Sequence, residues 1–301
     1  MTSLASSALE LPDNGFVYVS KAKKKRKGNS RTLVSEPLSL QNQLGLTRQE
    51  FQSSEEWTGF RQFLGGITQE LSGRHSTKRG LCLGLGSPST SIDSRWQLVL
   101  LLDLVNRFGI DPPAIEIYDP LFTQDEISQL QSLGLSILSE NLGGRHTIDE
   151  GTLLYLPHCP MMLLERLLRA NWSREKLETL VLVGNDVGEW IEGRRSHQAK
   201  YTCIERIVPF LSSTSFPPDA FGVATTAFAG ISFQVVKFDV SPPKQPGAAD
   251  LQLGGSAPSR KKKRRPTMGA ETLGPALLPT DDSFWDLPEE DSSLAHDQEV
   301  L

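Results

Sequence analysis

The chain has 301 residues, 38% of them hydrophobic, and a formal net charge of −5, enough apolar content for one core if it is concentrated in one stretch. Its three cysteines, Cys82, Cys159 and Cys203, form no CxxC pair and are widely scattered, which excludes a disulfide framework and a cysteine-based zinc half-site. No basic-then-apolar leader opens the sequence and no run approaches the roughly 20 apolar residues that span a bilayer, so the expectation is a cytoplasmic and nuclear protein with no membrane partner. The Asn171-Trp172-Ser173 sequon is then expected to stay unglycosylated.

In chain order, residues 1–50 read as a disordered basic region. Phe16, Val17, Tyr18 and Val19 form a short β-favouring run without an evident pairing partner, and Lys21 to Lys27 is basic at six of seven positions. A polar connector leads to about Glu50. Ser54 can then cap a helix whose first turn holds Glu55 and Glu56 and whose Trp57, Phe60, Phe63 and Leu64 recur at helical spacing, packing on the edge of the domain. Gly80 to Leu83 predicts a first strand that runs into the turn Gly84-Leu85-Gly86-Ser87, and Ser91 to Phe108 a helix ended by Gly109. Ala114 to Tyr118 is a second strand, Thr123 caps a helix to Leu133, and Leu135 to Leu138 is a third strand. Thr152 to Leu156, the helix Met161 to Ala170, and the apolar strand Thr179 to Val183 follow. Arg195 to Phe210 reads as a further helix and Ile231 to Phe238 as a strand of period two suited to an edge.

Short, continuously apolar strands alternating with amphipathic helices indicate a parallel sheet covered on both faces. The fold class is therefore α/β, a Rossmann-like doubly wound, mostly parallel sheet over residues 51–240, with disordered charged tails. The tail 241–301 holds a second basic run, Arg260 to Arg265, and an acidic end. There is no internal repeat.

Leu81-Cys82-Leu83-Gly84-Leu85-Gly86-Ser87, Tyr155-Leu156-Pro157-His158-Cys159-Pro160, and Asn171-Trp172 with Leu182-Val183-Gly184-Asn185 resemble, in order and spacing, the Sensitivity to Red Light Reduced family. The resemblance runs from about Arg79 to Trp190, with departures at Leu164 and Asp186. It implies a regulatory protein without an established enzyme activity, linked to circadian-clock gene expression and to haem biosynthesis, with clock or haem-pathway regulators as partners.

Several residues are candidates for chemistry. Gly84, Gly86 and Ser87 form a turn after a first strand, where amides and a helix N-terminus can face an anion, and Asp119 ends the second strand, where dinucleotide folds and many methyltransferases set a carboxylate against ribose. The third glycine of the dinucleotide fingerprint is absent, Ser89 following Ser87-Pro88, so a plain tight turn and a nucleotide-like ligand both stand. Cys159, with His158 as alternative or helper, lies at a strand's carboxyl end before a helix. A thiolate favoured there suits haem or metal ligation, with structural packing as the other reading. Sequence neighbours rarely aim at each other, which argues against a Cys159–His158 catalytic pair. Asn185 lines the same crevice or serves as a turn residue, and the Asn141, Gly143, Gly144 stretch reads as a flexible loop able to close over it. His146 and His197 read as exposed loop residues.

Lys23, Lys24, Lys25 and Arg26, and Lys261, Lys262, Lys263 and Arg264, are clusters that import receptors read, or else solvated tails; no sequence-specific nucleic-acid binding is expected. Phe284 and Leu287 stand exposed among carboxylates, either as a chance match to a short motif or as an aromatic–leucine motif for a partner, by strand addition or as an amphipathic helix. Three functional readings remain: a regulator sensing a ligand such as haem, a nucleotide- or S-adenosylmethionine-dependent enzyme using the Gly84 to Ser87 turn, and an interaction scaffold.

Overall fold

A computed structural model describes residues 38–148, 151–193, 201–217, 224–238 and 278–290. The strand expected at Phe16 to Val19, both basic clusters and His197 lie outside these residues.

Helix α1 (Leu40–Ser53) occupies the stretch expected as a polar connector; Ser39 caps it by accepting from the Asn42 amide, and Leu40, Leu44 and Phe51 face the core. Its buried residues Leu40, Leu44, Thr47 and Phe51 recur at three- and four-residue spacings, but one of the four is polar and the surrounding polar composition masks the pattern. Ser54 caps the short turn Glu55–Trp57, and α2 (Thr58–Ser72) follows. Trp57 and Phe60 are not on the domain's edge: Trp57 stacks on Trp96 at 4.7 Å and meets Phe228 edge-on at 6.1 Å, deep in the core.

The α/β alternation begins with β1 (Arg79–Leu83) and α3 (Ile92–Phe108), which Ser91 caps and a left-handed Gly109 ends. It continues through β2 (Ile115–Tyr118), α4 (Gln124–Ser132), β3 (Ser136–Ile137), β4 (Thr152–Leu156), α5 (Met161–Ala170), α6 (Arg174–Leu177), β5 (Leu180–Asn185) and α7 (Val187–Gly193). After residues 194–200 come α8 (Thr202–Ile207), a turn over Val208–Phe210, and β6 (Leu211–Ser215). Then follow α9 (Thr225–Phe228), β7 (Ile231–Val236) and, near the end of the chain, α10 (Asp282–Trp285).

The sheet has seven strands in the order β3-β2-β1-β4-β5-β7-β6. The first five strands run parallel, β7 runs antiparallel to β5, and β6 runs antiparallel to β7. Alternate residues of one strand feed opposite cores: Leu153, Tyr155, Val181 and Val183 pack beneath α1, α2 and α3, whereas Leu154, Leu156, Leu180 and Leu182 pack beneath α5 and α8. This two-sided burial is why the strands read as unbroken apolar runs.

Two placements later in the chain also differ from expectation. β7 is not the edge; β6, with the sequence Leu-Ser-Ser-Thr-Ser, pairs outside it and is the exposed margin. Every residue of β7 is buried, including Ser232 and Gln234, so its alternation of apolar and polar side chains does not mark a wet face; Gln234 accepts from the Val187 amide at 3.0 Å and donates to the Asn185 carbonyl at 2.9 Å. The segment expected as one helix from Arg195 to Phe210 is, where described, the two turns of α8 and the turn before β6.

Candidate functional site

The carboxyl ends of β1, β2, β4 and β5 gather the residues singled out in the sequence. β1 has β2 on one side and β4 on the other, so the order in which parallel strands are added reverses at β1, the switch point at which open α/β sheets hold ligands. Gly84, Gly86, Ser87, Asp119, His158, Cys159 and Asn185 all lie along this edge.

Their polar groups meet each other. Asp119, buried at the tip of β2, accepts from the Gly86 amide at 2.6 Å and from the Leu121 amide at 2.8 Å. Gly86 adopts φ +73°, and a Cβ there would stand 2.7 Å from the Ser94 hydroxyl, so the turn requires glycine. The donors that follow, Ser87 Oγ (2.6 Å), Ser89 N (2.9 Å) and Ser89 Oγ (2.7 Å), converge on one oxygen of Glu126. The other oxygen receives Thr123 N (2.8 Å) and Thr123 Oγ1 (3.0 Å) in a capping box that opens α4. Glu126 is 1% exposed, and although burial alone would raise its pKa, the donors from Ser87, Thr123 and Ser89 outweigh it and hold the carboxyl at about 2. A carboxylate of the chain itself thus fills the position that an anionic ligand would take at this turn. The sequence reading passed over Glu126, although Thr123-x-x-Glu126 carries the capping-box spacing.

On the other side of β1, His158 takes a left-handed conformation, φ 53°, unusual for a residue with a side chain. Its Nε2 lies 3.1 Å from the Ala227 carbonyl oxygen, which also accepts from Gln97 Nε2 at 3.1 Å. This local reversal turns Cys159 inward, 7% exposed, where its thiol donates to the Leu83 carbonyl at 2.9 Å. The thiolate expected at a helix N-terminus is not found: burial, with the Asp119 charge adding to it, pushes the thiol up to about 12. The Cys159 sulfur is therefore a buried hydrogen-bond donor and does not fit an axial haem ligand. Among the described residues, no group of three or more His, Cys, Asp or Glu side chains could hold a metal ion. All three cysteines are free and buried.

Asn185 ties the two loops together, donating from Nδ2 to the Cys159 carbonyl at 3.1 Å while its own carbonyl accepts from Gln234 Nε2 at 2.9 Å. The neighbouring Gly184 has no room for a side chain, since a Cβ would fall 2.8 Å from the Leu156 carbonyl oxygen of β4. Gly184→Ala is expected to cost about 1–3 kcal/mol by forcing β4 and β5 apart. An unchanged urea midpoint for that variant would contradict it.

Three further expectations are corrected. His146 is not an exposed loop residue but is 7% exposed, with neither ring nitrogen hydrogen-bonded, and desolvation lowers its pKa. The Asn141 to Gly144 loop is anchored at its end, where Gly144 packs so closely on α5 that a Cβ would stand 2.6 Å from the Leu163 carbonyl oxygen, while Asn141 and Leu142 are exposed. Buried Asn171 pins the following stretch, donating to the His146 carbonyl and accepting from the Ile148 amide, both at 2.7 Å, and so its sequon is inaccessible. Phe284 is not an exposed partner motif: it is 0% exposed, stacked on Trp172 at 5.4 Å and edge-on to Phe210 and Phe238. Leu287 is half-buried against the same core.

Fold and site together define a doubly covered α/β domain whose ligand edge is closed by its own side chains. Residues 48–287 match the SRR1 domain, and the chain belongs to that family. It is 36% identical over 124 residues to the SRR1-like protein of Mus musculus, covering 40% of this chain and 50% of that protein. Identity to Protein SENSITIVITY TO RED LIGHT REDUCED 1 of Arabidopsis thaliana is 29% over 182 residues, 58% of this chain and 66% of the relative. The SRR1-like protein of Drosophila melanogaster matches at 32% over 120 residues, 40% of this chain and 43% of the relative. The chain thus spans 43–66% of the length of these curated relatives.

Proposed function

We propose that this chain is a non-enzymatic regulator of the SRR1 family, acting by binding partners in clock-linked gene expression and in control of haem biosynthesis. The observation that carries the reading is the closed carboxyl edge. Catalysis at such an edge requires side chains free to meet a reacting atom, and here Asp119, Ser87, Ser89, Glu126, Cys159 and Asn185 are engaged with one another or with backbone. A haem effect on this chain would not run through Cys159. The basic clusters Lys23 to Arg26 and Lys261 to Arg264 support shuttling between cytoplasm and nucleus.

A second reading rests on one observation, the Gly84 to Ser87 turn and Asp119 together at the switch point: a nucleoside cofactor that displaces the Gly86–Asp119 bond and sets its ribose against that carboxylate.

Calorimetric titration of the purified full-length chain with S-adenosylmethionine, NAD and haem separates the two. The regulator reading expects no saturable binding of either nucleotide, and the same haem absorption spectrum for wild type and Cys159→Ala. Micromolar cofactor binding that is lost in Asp119→Ala would replace it with the enzyme reading. In cells lacking the chain, clock-reporter period and haem content should both move and be restored by the wild-type chain.

A further inference from the structure

Residues 278–290 lie on the domain as a peptide lies on a receptor. Their own backbone bonds close locally, Asp281 N to Leu278 O, Phe284 N to Asp281 O and Asp286 N to Asp282 O. Side chains make the attachment to the rest of the domain. Phe284 fills a pocket of Trp172, Phe210 and Phe238, and Trp285 lies edge-on to Phe238 at 5.5 Å. One guanidinium nitrogen of Arg206 donates to the carbonyls of Ser283 (3.2 Å), Phe284 (2.6 Å) and Asp286 (2.8 Å), and Trp172 Nε1 donates to the Phe284 carbonyl at 3.1 Å. Further along, Arg169 donates to the Pro288 carbonyl at 2.6 Å, and Glu290 bridges Arg166 at 2.7 Å and Arg145 at 2.9 Å.

An aromatic anchor in a pocket, a cation holding backbone carbonyls and an acidic end on an arginine pair are the parts by which short linear peptides are recognised. The face is opposite in charge to its occupant: Arg145 from the loop before β4, Arg166 and Arg169 from α5 and Arg206 from α8 line it, Glu290 is paired with two of them, and the segment also carries Asp281, Asp282, Asp286 and Glu289. It lies where α5 ends, β6 begins and β7 ends, at the amino edge of the sheet and away from the Gly84 to Ser87 turn.

We infer that this face is a binding site for acidic peptides carrying an adjacent aromatic pair, and that residues 278–290 are its resident, exchangeable ligand. Residues 239–277 join the segment to β7. Because face and segment share one chain, an effective concentration on the order of 1 mM lets the segment hold the face in cis against weak competitors. It yields to a partner peptide of the same chemistry that binds more tightly or is presented in several copies.

The test uses the full chain with a sequence-specific protease site inserted after Gly254 and a fluorescein-labelled peptide of residues 278–290. After cleavage, the released fragment is expected to separate from the domain by size exclusion at low micromolar protein, with the far-ultraviolet circular dichroism of the domain unchanged. The labelled peptide should then bind the cleaved chain with a Kd of about 10 μM and the uncleaved chain about 100-fold more weakly, the ratio of effective concentration to Kd. Arg206→Ala in the cleaved chain should weaken the peptide at least tenfold. The proposal is overturned if the fragment survives dilution and cannot be chased by excess peptide, if the domain unfolds as the fragment leaves, or if cleaved and uncleaved chains bind the peptide equally.

Discussion

Glu165→Ala is expected to destabilise the domain by about 3–5 kcal/mol, the cost of leaving buried partners of a charge unpaired. Glu165 sits in the middle of α5, a helix of sequence Met-Met-Leu-Leu-Glu-Arg-Leu-Leu-Arg-Ala, and is fully buried. Its carboxylate accepts from the Cys203 amide at 3.1 and 3.0 Å, from the Ile204 amide at 3.0 Å and from Arg169 at 3.3 Å. Tyr201, at the N-cap of α8, gives no side-chain cap, so the first amides of that helix depend on a carboxylate from another element. The alanine variant strands two buried N–H groups and removes the ion pair of Arg169, whose guanidinium keeps only its bond to the Pro288 carbonyl. For a domain of this size the expected fall in Tm is on the order of 10 °C. Glu165→Gln, which keeps one acceptor oxygen, should lose about half as much. A calorimetric scan in which Glu165→Ala melts within about 2 °C of wild type would show that α8 does not need this cap.

The second large effect is acid sensitivity centred on Glu126. Its carboxyl titrates at about 2 in the folded chain against 4.5 as the ordinary value, because the donors from Ser87, Thr123 and Ser89 outweigh the burial that would raise it. A depressed folded pKa contributes stability that is fully present above the unfolded pKa and is lost as pH falls from about 4.5 towards 2. At about 1.4 kcal/mol per pKa unit, the contribution is on the order of 3 kcal/mol. The Asp186 and Glu290 carboxyls are also held low, Asp186 chiefly through Ser213 and Glu290 through Arg166 and Arg145, each against a burial effect that would raise it, and they add loss in the same direction. Urea midpoints measured from pH 7 to pH 3 should therefore fall for wild type. Glu126→Gln should begin lower at pH 7 and fall less, so that the two curves converge in acid. Parallel curves would mean that the Ser87 to Ser89 turn does not rely on an ionised Glu126.

These two carboxylates mark the border between what was legible in the chain and what was not. The alternation of β and α, the break at Gly109, the caps Ser54 and Thr123, and the mostly parallel sheet follow from local patterns, since period, turn residue and cap act over a few positions. The resemblance in the strand–turn, Pro-His-Cys-Pro and Val-Gly-Asn segments was legible too, and the structure brings all three to one edge.

Roles of the single groups were not legible, because a hydrogen-bond partner more than thirty residues away leaves no local mark. Cys159 stands at a helix N-terminus, which by itself lowers a thiol's pKa; burial against the Leu83 carbonyl reverses the sign. β7 alternates like an edge strand and is interior because β6, too polar to read as a core strand, pairs outside it. Phe284 and Leu287, isolated among carboxylates, read as exposed because nothing nearby in sequence could bury them. Only the fold, by bringing Trp172, Phe210 and Phe238 to one end of the sheet with Arg206 beside them, makes the pocket that takes Phe284. Local propensity sets which elements form, while burial and long-range pairing, which depend on every element at once, set the charge state and exposure of the groups between them.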